Sequence, residues 1–390
     1  VMDPEKKLKI TLAQVAVEQI YEDYDIQFKQ ISSEGANYTS NIYLATISAP
    51  GREDLKLFIK VAALGEKIRS ITPYKIYYTE SFFYCTLRKI YKDLEEQCKV
   101  PPEHRLNTPK FYAFNNETYK EALVLEDLSA AGYHSYDRFK SITWDYAASS
   151  IQNMAKLHAL SMAWSINDPG AFEESANNLK LEQNFKSRED YYVAVIKKAL
   201  SVTRENNKER LQKLLDSLYD VNTDFFKYNK PLRRPVIVHG DYRPSNLMHR
   251  EREDGTIEVI SIDYQTLQLA NPIVDLVYFI FNGSDKAFRK QHFQQALEHY
   301  YSELRAALQR LEVDPDHVYH REDFDYELEQ ILPFGLIKSM FSLLIVTVNA
   351  EDAPRVNQDM EIKDFAVSPS ELYTERFNDI IDDYIDMGIL

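Results

Sequence analysis

The sequence predicts an α+β fold, because strand-like and helix-like patterns occupy different parts of the chain. Short segments rich in β-branched and aromatic residues cluster in the first third of the chain, whereas long segments with helical spacing dominate afterwards. Hydrophobic residues make up 44% of the 390 residues, which is enough for a full-size globular core. The length of the chain allows one large two-lobed unit or two ordinary domains, and we call the strand-rich part at 1–128 the small lobe and the mainly helical part at 129–390 the large lobe.

The small lobe is predicted from segments taken in chain order. Residues 10–24 have the spacing of an amphipathic helix, and a strand opens at 26–28. The remaining segments are a helix at 74–99 and strands at 38–47, 55–61, 110–115 and 121–128. Cys85 and Cys98 fall in the helix at 74–99, too far apart along its axis for a disulfide bond. The N-terminal residues show no signal-peptide pattern, so a reducing, cytoplasmic location is expected.

A lysine and a glutamate in the small lobe are predicted to form an ion pair. In the strand at 55–61, alternate apolar residues share one face and Lys60 lies on the other. The helix at 74–99 carries Glu80 in an otherwise apolar stripe, where a buried carboxylate is unfavourable unless a cation neutralises it. Lys60 is the available cation, although Glu80 could instead reach solvent.

Helical spacing predicts most of the large lobe. The segments are helices at 144–166, 191–205, 209–226, 285–311 and 334–348, with a polar insertion at 167–190. His158 is expected to be a hydrogen-bonded core residue rather than a catalyst. The apolar run at 331–348 contains Pro333 and Lys338, which favour a buried helix with a broken start over a membrane span.

The most informative stretch begins with a β-branched run at 236–238, which is typical of a buried strand. A His-Gly-Asp tripeptide ends this strand with the carboxylate of Asp241, and Asn246 follows five residues later. An Asp-Gly turn then leads into a second strand at 257–262, after which comes Asp263. We predict a hairpin-like unit of these two strands that brings the two carboxylates and the carboxamide together.

Two carboxylates and a carboxamide in this order are suited to phosphoryl transfer. Hard oxygen ligands bind Mg²⁺, which shares its coordination shell with nucleotide phosphates. Transfer also needs a carboxylate that faces the acceptor hydroxyl and a lysine on the phosphates. A metallophosphatase, which also uses Gly-Asp turns, is disfavoured because no further His-rich metal motif follows.

The stretch from His239 to Asp263 resembles the catalytic and metal-binding loops of protein-kinase-like enzymes. Gly240 stands where protein kinases carry Arg, and Asp263-Tyr264-Gln265 stands where they carry Asp-Phe-Gly. With the Gly-Ala-Asn-Tyr-Thr-Ser string at 35–40, these departures make the sequence most similar to the ecdysteroid kinase-like family of arthropods, which is related to choline kinases and aminoglycoside phosphotransferases. A protein kinase is disfavoured because no Ala-Pro-Glu anchor follows. The resemblance implies a two-lobed protein-kinase-like fold, with a nucleotide-binding lobe of antiparallel sheet plus helix at 1–128 and a catalytic, mainly helical lobe at 129–390.

The resemblance also implies an ATP-dependent kinase that phosphorylates a hydroxyl group of a small organic molecule and uses Mg²⁺. It implies that Asp241 orients and deprotonates the acceptor hydroxyl. Asn246 and Asp263 would hold Mg²⁺. Lys60, positioned by Glu80, would hold the phosphates.

Further nucleotide contacts are implied in the small lobe. A polar turn is expected to fold over the phosphates, and its donors are Gly35, Asn37, Thr39 and Ser40. The strand at 121–128 would lead to a hinge where backbone groups of Glu126 and Leu128 pair with adenine. The resemblance further suggests that Asp275 braces the catalytic loop, although it could be a simple helix cap.

No motif defines the acceptor. The net charge of −15 disfavours nucleic acid and anionic membranes as partners, and no obligate protein partner is evident. The 27 Tyr and 20 Phe fit a large aromatic core or a pocket for a bulky molecule, with Phe334 and Phe341 as candidate walls. The family implies an ecdysteroid or a similar secondary metabolite. The alternatives are a choline- or aminoglycoside-type kinase and a catalytically silent ligand-binding protein of the same fold.

Overall fold

Strands dominate the first third of the chain and helices the rest in the computed structural model, which describes residues 4–32, 39–72, 75–181, 189–218, 227–354, 357 and 359–390. The strands are β1 Asp25–Ile31, β2 Ser40–Ser48, β3 Leu55–Ala62, β4 Phe111–Asn115, β5 Ala122–Glu126, β6 His134–Ser135, β7 Val236–Val238, β8 Leu247–Glu251, β9 Ile257–Ser261 and β10 Gln268–Ala270. The helices are α1 Pro4–Glu18, α2 Glu66–Arg69, α3 Ile76–Phe82, α4 Arg88–Gln97, α5 Trp144–Asn167, α6 Pro169–Asn177, α7 Glu189–Val202, α8 Glu205–Leu218, α9 Ile273–Gly283, α10 Lys286–Arg310, α11 Pro315–Val318, α12 Arg321–Val346 and α13 Glu371–Asp386. The architecture is the predicted α+β one, with an antiparallel sheet in the first third of the chain and mainly helices afterwards.

The sheet of the small lobe has five antiparallel strands in the order β1-β2-β3-β5-β4. Helix α1 covers one face of this sheet, because Leu12 and Val15 are buried against Ile59 and Val124. Lys60 is next to Ile59 on β3 and therefore points to the other face. Burial of the apolar face fixes the register of β3 and so the direction of the lysine.

Helix α1 begins and ends earlier than the predicted helix at 10–24. Its first turns are charged and hide the apolar pattern, but Leu8 and Leu12 lie one turn apart and are both buried. Ile20 and Asp23 have positive φ values of 60° and 50°, so the backbone cannot continue as a helix there.

The helix that carries Glu80 contains one widened turn. Helix α3 passes into a π-helical segment, Phe83–Leu87, and then into α4. Phe83 in this segment stacks on Tyr264 with ring centroids 3.4 Å apart, which places the widened turn beside Asp263. Cys85, in the same segment, is a free cysteine, as is Cys98.

Helix α5 is the centre of the large lobe and packs against α10, β7 and β9. Every residue of α9 is buried, and this helix packs against α12. Apolar side chains such as Ile151, Leu157, Leu276 and Phe279 join these elements into one core. The short strands β7, β8 and β9 therefore rest on a rigid helical base.

Residues 167–190 contain a helix, which corrects the prediction of a polar insertion. Helix α6 has Pro169 in its first turn, and the side chain of Asp168 accepts a hydrogen bond from the N–H of Ala171. Phe172 is buried against the core. Here the Asp-Pro pair, which favours the start of a helix, predicts the local structure better than the polar composition does.

Helix α12 continues through Pro333 and begins well before the predicted start at 334. Proline lacks an N–H and normally interrupts a helix. Here the hydroxyl of Tyr384 accepts a hydrogen bond from the N–H of Leu336 (3.1 Å) and donates one to the carbonyl of Leu332. A side chain from α13 thus replaces part of the broken hydrogen-bond ladder.

Among the described residues, α12 is the one helix long and apolar enough to cross a membrane by length and composition. Of its most apolar window, 56% is buried inside the protein. The helix packs against α9 and α13, as a helix in the interior of the large lobe does.

Candidate active site

The strand before Asp241 does not pair with the strand before Asp263, so the predicted hairpin-like unit is wrong. Strand β7 pairs with β10, whereas β8 pairs with β9. The prediction overlooked β8 and β10, which are short and mix polar with apolar residues. Two separate ladders therefore supply the site: Asp241 follows β7, Asn246 precedes β8 and Asp263 follows β9.

Three neighbouring side chains hold the carboxylate of Asp241. Its Oδ1 accepts a hydrogen bond from the hydroxyl of Tyr278 (2.7 Å). Its Oδ2 accepts from Nδ2 of Asn246 (2.8 Å) and from Nε of Arg243 (3.2 Å). Burial would raise the pKa of this carboxyl, but the nearby Arg243 and Lys338 outweigh burial and hold the pKa below the ordinary value of 3.8. Asp241 is therefore a fixed, ionised carboxylate at neutral pH.

Asp275, in the first turn of α9, braces the loop after β7. Its Oδ2 accepts a hydrogen bond from the N–H of His239 and its Oδ1 from the N–H of Gly240, both at 2.9 Å. Nε2 of His158 lies 3.0 Å from Oδ2 of Asp275, and Nδ1 of His158 lies 2.8 Å from the hydroxyl of Tyr300. Asp275 is thus more than a helix cap, and His158 is a hydrogen-bonded residue of the core.

The conformation of Gly240 explains one departure from the protein-kinase pattern. Its φ of +83° lies in the left-handed region, which disfavours residues with a side chain. A Cβ atom at this position would overlap with the side chain of Gln268 and with the backbone carbonyl of Thr266. An arginine cannot be accommodated here, because β10 and the turn before it lie against the loop.

Lys60, Glu80 and Asp263 form a buried ion-pair network. Nζ of Lys60 donates to both carboxylate oxygens of Glu80 (2.8 and 3.0 Å) and to Oδ1 of Asp263 (2.9 Å). Glu80 is only 4% exposed, which excludes the alternative that it reaches solvent. Burial would lower the pKa of Lys60, but the two carboxylates outweigh burial and raise the pKa, so the ammonium group stays charged.

Asp263 and Asn246 provide the oxygen atoms that a metal ion would use. Asp263 has a left-handed conformation (φ 65°, ψ 64°), which is uncommon outside glycine and is often found at functional sites. Asn246 uses its Nδ2 to donate to the backbone carbonyl (2.9 Å) and to Oδ2 of Asp241, so its Oδ1 is the atom that could bind a metal ion. In the described part of the chain, no group of three His, Cys, Asp or Glu side chains could hold a metal ion. A carboxylate oxygen and a carboxamide oxygen are ligands that fit Mg²⁺, which completes its shell with water and phosphate oxygens.

A cleft of about 270 Å³ lies between the sheet and these residues. Apolar side chains form much of its wall, and the candidate nucleotide-binding residues supply its charged groups. The main lining residues are Ile31, Ile42, Phe58, Leu125, Leu128, Met248 and Ile262, with Lys60, Glu80, Asn246 and Asp263. Apolar walls with a few convergent polar groups are typical of a site for a small molecule.

The predicted hinge forms part of the wall of this cleft. The N–H of Glu126 donates to the carbonyl of Lys110 (2.8 Å), and the carbonyl of Leu128 accepts from the N–H of Tyr133 (3.0 Å). These two groups are used within the protein. The carbonyl of Glu126 and the N–H of Leu128 are therefore the candidate backbone groups for hydrogen bonds to a ligand.

The predicted phosphate turn is only partly described. Gly35 and Asn37 lie outside the described residues. The hydroxyl of Thr39 donates to Oε1 of Gln265 (2.6 Å), and Ser40 is buried at the start of β2. Thr39 and Ser40 do not line the cleft, but the hydrogen bond from Thr39 to Gln265 links the start of β2 to the loop that carries Asp263.

Reasoning from the sequence missed four neighbours of the site, namely Arg243, Gln265, Tyr278 and Lys338. Arg243 could have been found, because a cation two residues after Asp241 lies within the motif. Tyr278 and Lys338 come from α9 and α12. The only sequence signal for them is a polar group within an apolar helix. Their direction towards Asp241 depends on how the two helices pack.

The sequence model of the ecdysteroid kinase-like family matches residues 34–313, well over half of the chain. No curated protein matches the sequence significantly. Among solved structures, the GDP complex of a variant of aminoglycoside 2'-phosphotransferase-IIIa has a TM-score of 0.47 and 12% identity, covering 96% of this chain and 98% of that chain. An ethanolamine kinase from Plasmodium vivax has a TM-score of 0.46 and 14% identity, covering 100% of this chain and 92% of that chain.

Proposed function

The chain belongs to the ecdysteroid kinase-like family, and we propose that it transfers the γ-phosphoryl group of ATP to a hydroxyl group of a small organic molecule. Membership of this family supports a small-molecule phosphotransferase. The observation that carries the proposal is the convergence of four polar groups at one cleft, with Lys60, Asn246 and Asp263 in its lining and Asp241 hydrogen-bonded to Asn246. A catalytically silent ligand-binding protein would not need all four.

We place the nucleotide in the cleft beneath the sheet of the small lobe. Lys60 would contact phosphate oxygens, while the carbonyl of Glu126 and the N–H of Leu128 would pair with the edge of adenine. Asn246 and Asp263 would hold Mg²⁺ through their side-chain oxygens. When bound, this ion neutralises negative charge on the phosphates.

Asp241 is proposed to orient the acceptor hydroxyl and to receive its proton. Its hydrogen bonds to Tyr278, Asn246 and Arg243 fix the carboxylate before the acceptor arrives. Because its pKa is lowered, Asp241 is a weak base. It therefore takes the proton late, as the hydroxyl oxygen bonds to phosphorus, and its main contribution is to hold the hydroxyl in line.

We propose an ecdysteroid or a similarly bulky secondary metabolite as the acceptor. The family and the aromatic side chains of the large lobe support this proposal. A choline- or aminoglycoside-type acceptor carries positive charge and needs carboxylates or an aromatic cage around it. Asp241 instead has two cations nearby, Arg243 and Lys338.

Two proposals concern the whole chain. We propose a boundary near residue 128 between a nucleotide-binding lobe and a catalytic, acceptor-binding lobe, because β5 ends at Glu126 and contributes to the cleft.

We also propose a cytoplasmic location, which the free thiols of Cys85 and Cys98 support.

The proposed function is tested by a screen for ATP consumption with Mg²⁺ against ecdysteroids, choline, aminoglycosides and plant glycosides. We expect a phosphorylated steroid or glycoside, identified by mass spectrometry. The Asp241→Asn variant is the matched control, because it should bind Mg·ATP and form product at least about a hundredfold more slowly. Phosphorylation of choline or an aminoglycoside alone would establish the second kinase type, and acceptor binding without any transfer would establish the silent protein.

A further inference from the structure

Lys338 is an unusual cation in the large lobe. It lies in the apolar second half of α12 and is half-buried. Within the described residues, no hydrogen bond or ion pair neutralises its ammonium group. A partly buried, unpaired charge is unfavourable for stability, so a lysine at such a position near the carboxylate of Asp241 points to a ligand.

The ammonium group of Lys338 lies close to the candidate catalytic carboxylate. Its Nζ is 4.7 Å from the centre of the Tyr278 ring. The hydroxyl of Tyr278 donates to Oδ1 of Asp241 (2.7 Å). Lys338 also interacts electrostatically with Asp241 itself. The lysine therefore stands beside the position that an acceptor hydroxyl must occupy to reach Asp241.

The other charged groups around Asp241 are engaged within the protein. Arg243 donates to Oδ2 of Asp241, and Asp275 accepts the N–H groups of His239 and Gly240. Of these charged groups, Lys338 alone forms no hydrogen bond or ion pair in the part of the chain that the structure describes, so its N–H donors are not used within the protein.

Aromatic side chains continue the same face of α12. Phe341 follows Lys338 by about one helical turn. Its ring lies 6.0 Å from that of Tyr191 and 5.4 Å from that of Tyr192, both on α7. A cation next to an aromatic wall suits an amphipathic ligand with an oxygen-bearing group near Asp241 and an apolar body along α7 and α12.

We propose that Lys338 determines acceptor specificity by donating a hydrogen bond to a second oxygen of the acceptor, next to the reactive hydroxyl, and by repelling cationic alcohols. The ligand class is an amphipathic alcohol with a further oxygen function, either a neutral hydroxyl or carbonyl group or a carboxylate. This inference rests on the proposed function, since it places the acceptor at Asp241.

The test compares acceptor kinetics of the whole protein with those of Lys338→Gln and Lys338→Glu. The acceptors are a polyhydroxylated ecdysteroid, a steroid carrying a carboxylate, and choline. We expect Lys338→Gln to raise the KM for the steroid acceptors at least about tenfold, while kcat and the KM for ATP stay within about twofold. Lys338→Glu should lower the ecdysteroid-to-choline ratio of kcat/KM about a hundredfold. If Lys338→Gln raises the KM of the steroid carboxylate more than that of the neutral ecdysteroid, Lys338 forms an ion pair with the acceptor. Equal increases in the two KM values identify a neutral hydrogen bond.

Lys227→Gln is the matched control, because Lys227 also lies over a tyrosine ring (Tyr228, 4.9 Å) in the same lobe. Stabilisation by a Mg·ATP analogue is measured for each variant, and Lys338→Met replaces Lys338→Gln if the latter does not bind nucleotide. Unchanged acceptor KM values in a variant that binds nucleotide overturn the inference and leave the proposed function intact. If the unmodified protein phosphorylates none of the alcohols, the proposed function fails, and the inference fails with it.

Discussion

At the scale of single residues, the candidate site consists of carboxylates that hydrogen bonds hold in place before a ligand binds. Asp241 is held by Tyr278 and Asn246, and Asp263 is held by Lys60. Groups that are fixed in advance need no reorganisation during the reaction, so they lower its barrier. The left-handed conformation of Asp263 adds backbone strain, which the surrounding packing has to stabilise.

Asp241→Asn should lower kcat at least about a hundredfold, because the acceptor hydroxyl loses the group that orients it and receives its proton. The affinity for Mg·ATP should stay within about twofold, since Asp241 is not proposed to contact the nucleotide. Steady-state kinetics and calorimetric titration check both values. A kcat close to that of the unmodified protein would remove Asp241 from the chemistry.

Asp263→Ala should weaken binding of Mg·ATP by at least about tenfold, because the metal loses a charged ligand. Asn246→Ala should have a smaller effect, since a neutral ligand contributes less. Calorimetric titration measures the Mg·ATP affinity of both variants. Titration with ATP in the absence of Mg²⁺ is the control, in which the affinities of the two variants should differ little. Equal Mg·ATP affinity in Asp263→Ala and the unmodified protein would exclude Asp263 as a metal ligand.

At the scale of elements, two helices carry irregular turns that distant side chains stabilise. The π-helical turn before α4 is covered by Tyr264, which stacks on Phe83. The proline in α12 is compensated by Tyr384, whose hydroxyl bridges the ladder between Leu332 and Leu336. Both helices contribute to the site, since α3 carries Glu80 and α12 carries Lys338.

Tyr384→Phe should lower the free energy of unfolding by about 1–3 kcal/mol, because buried backbone groups around Pro333 lose their hydrogen-bond partner. Tyr326→Phe is the matched control, since Tyr326 is on the same helix but 38% exposed. Urea denaturation compares the two variants. A change of the same small size in both would show that the Tyr384 hydroxyl does not stabilise α12.

Helix α4 is linked to the loop that follows it by a buried carboxylate. Oε1 of Glu95 accepts a hydrogen bond from the N–H of Leu106 (2.6 Å). Burial raises the pKa of Glu95 from the ordinary value of 4.5 to about 7. Between these two pKa values the folded state binds more protons than the unfolded state, so this group makes stability fall as the pH rises from about 4.5 to about 7.

Glu95→Gln should remove this loss, because glutamine can still accept the Leu106 hydrogen bond and carries no charge. The variant should gain stability relative to the unmodified protein as the pH rises to about 7, with little further gain above about pH 8. Thermal unfolding between pH 5 and 8 measures the difference. Glu96→Gln, at an exposed neighbouring position, is the control, and an equal pH dependence in both variants would contradict the prediction.

At the scale of the whole molecule, a few polar contacts connect the small lobe with the loop after β9. Nζ of Lys60 donates to Asp263, and the hydroxyl of Thr79 donates to the carbonyl of Gln265 (2.6 Å). These contacts join β3 to Asp263 and α3 to Gln265. Residues of both lobes therefore line the cleft.

A polyhydroxylated ecdysteroid should raise the melting temperature when a Mg·ATP analogue is present, since a ligand that binds the native state stabilises it by mass action. Choline should produce no shift at millimolar concentration. Scanning fluorimetry with and without the nucleotide analogue measures both. A shift with choline and none with any steroid or glycoside would reverse the order of the two kinase hypotheses.

The sequence by itself determined the features that depend on short-range spacing. A β-branched run followed by His-Gly-Asp places Asp241 at the end of a strand, and alternation in β3 places Lys60 on the face away from α1. The charge of Glu80 in an apolar stripe was enough to predict its partner, because a buried carboxylate needs a cation. The family resemblance rests on the same local strings.

Only the tertiary structure decided which elements meet. The sequence of β7 does not show that it pairs with β10 rather than with β9, because alternation defines a strand and not its partner. Tyr278 and Lys338 reach Asp241 through the packing of α9 on α12, which joins residues far apart in the chain. Helix α12 passes Pro333 because a hydroxyl from α13 replaces a lost hydrogen bond. Contacts of this kind depend on the shape of the packed core, to which residues throughout the chain contribute.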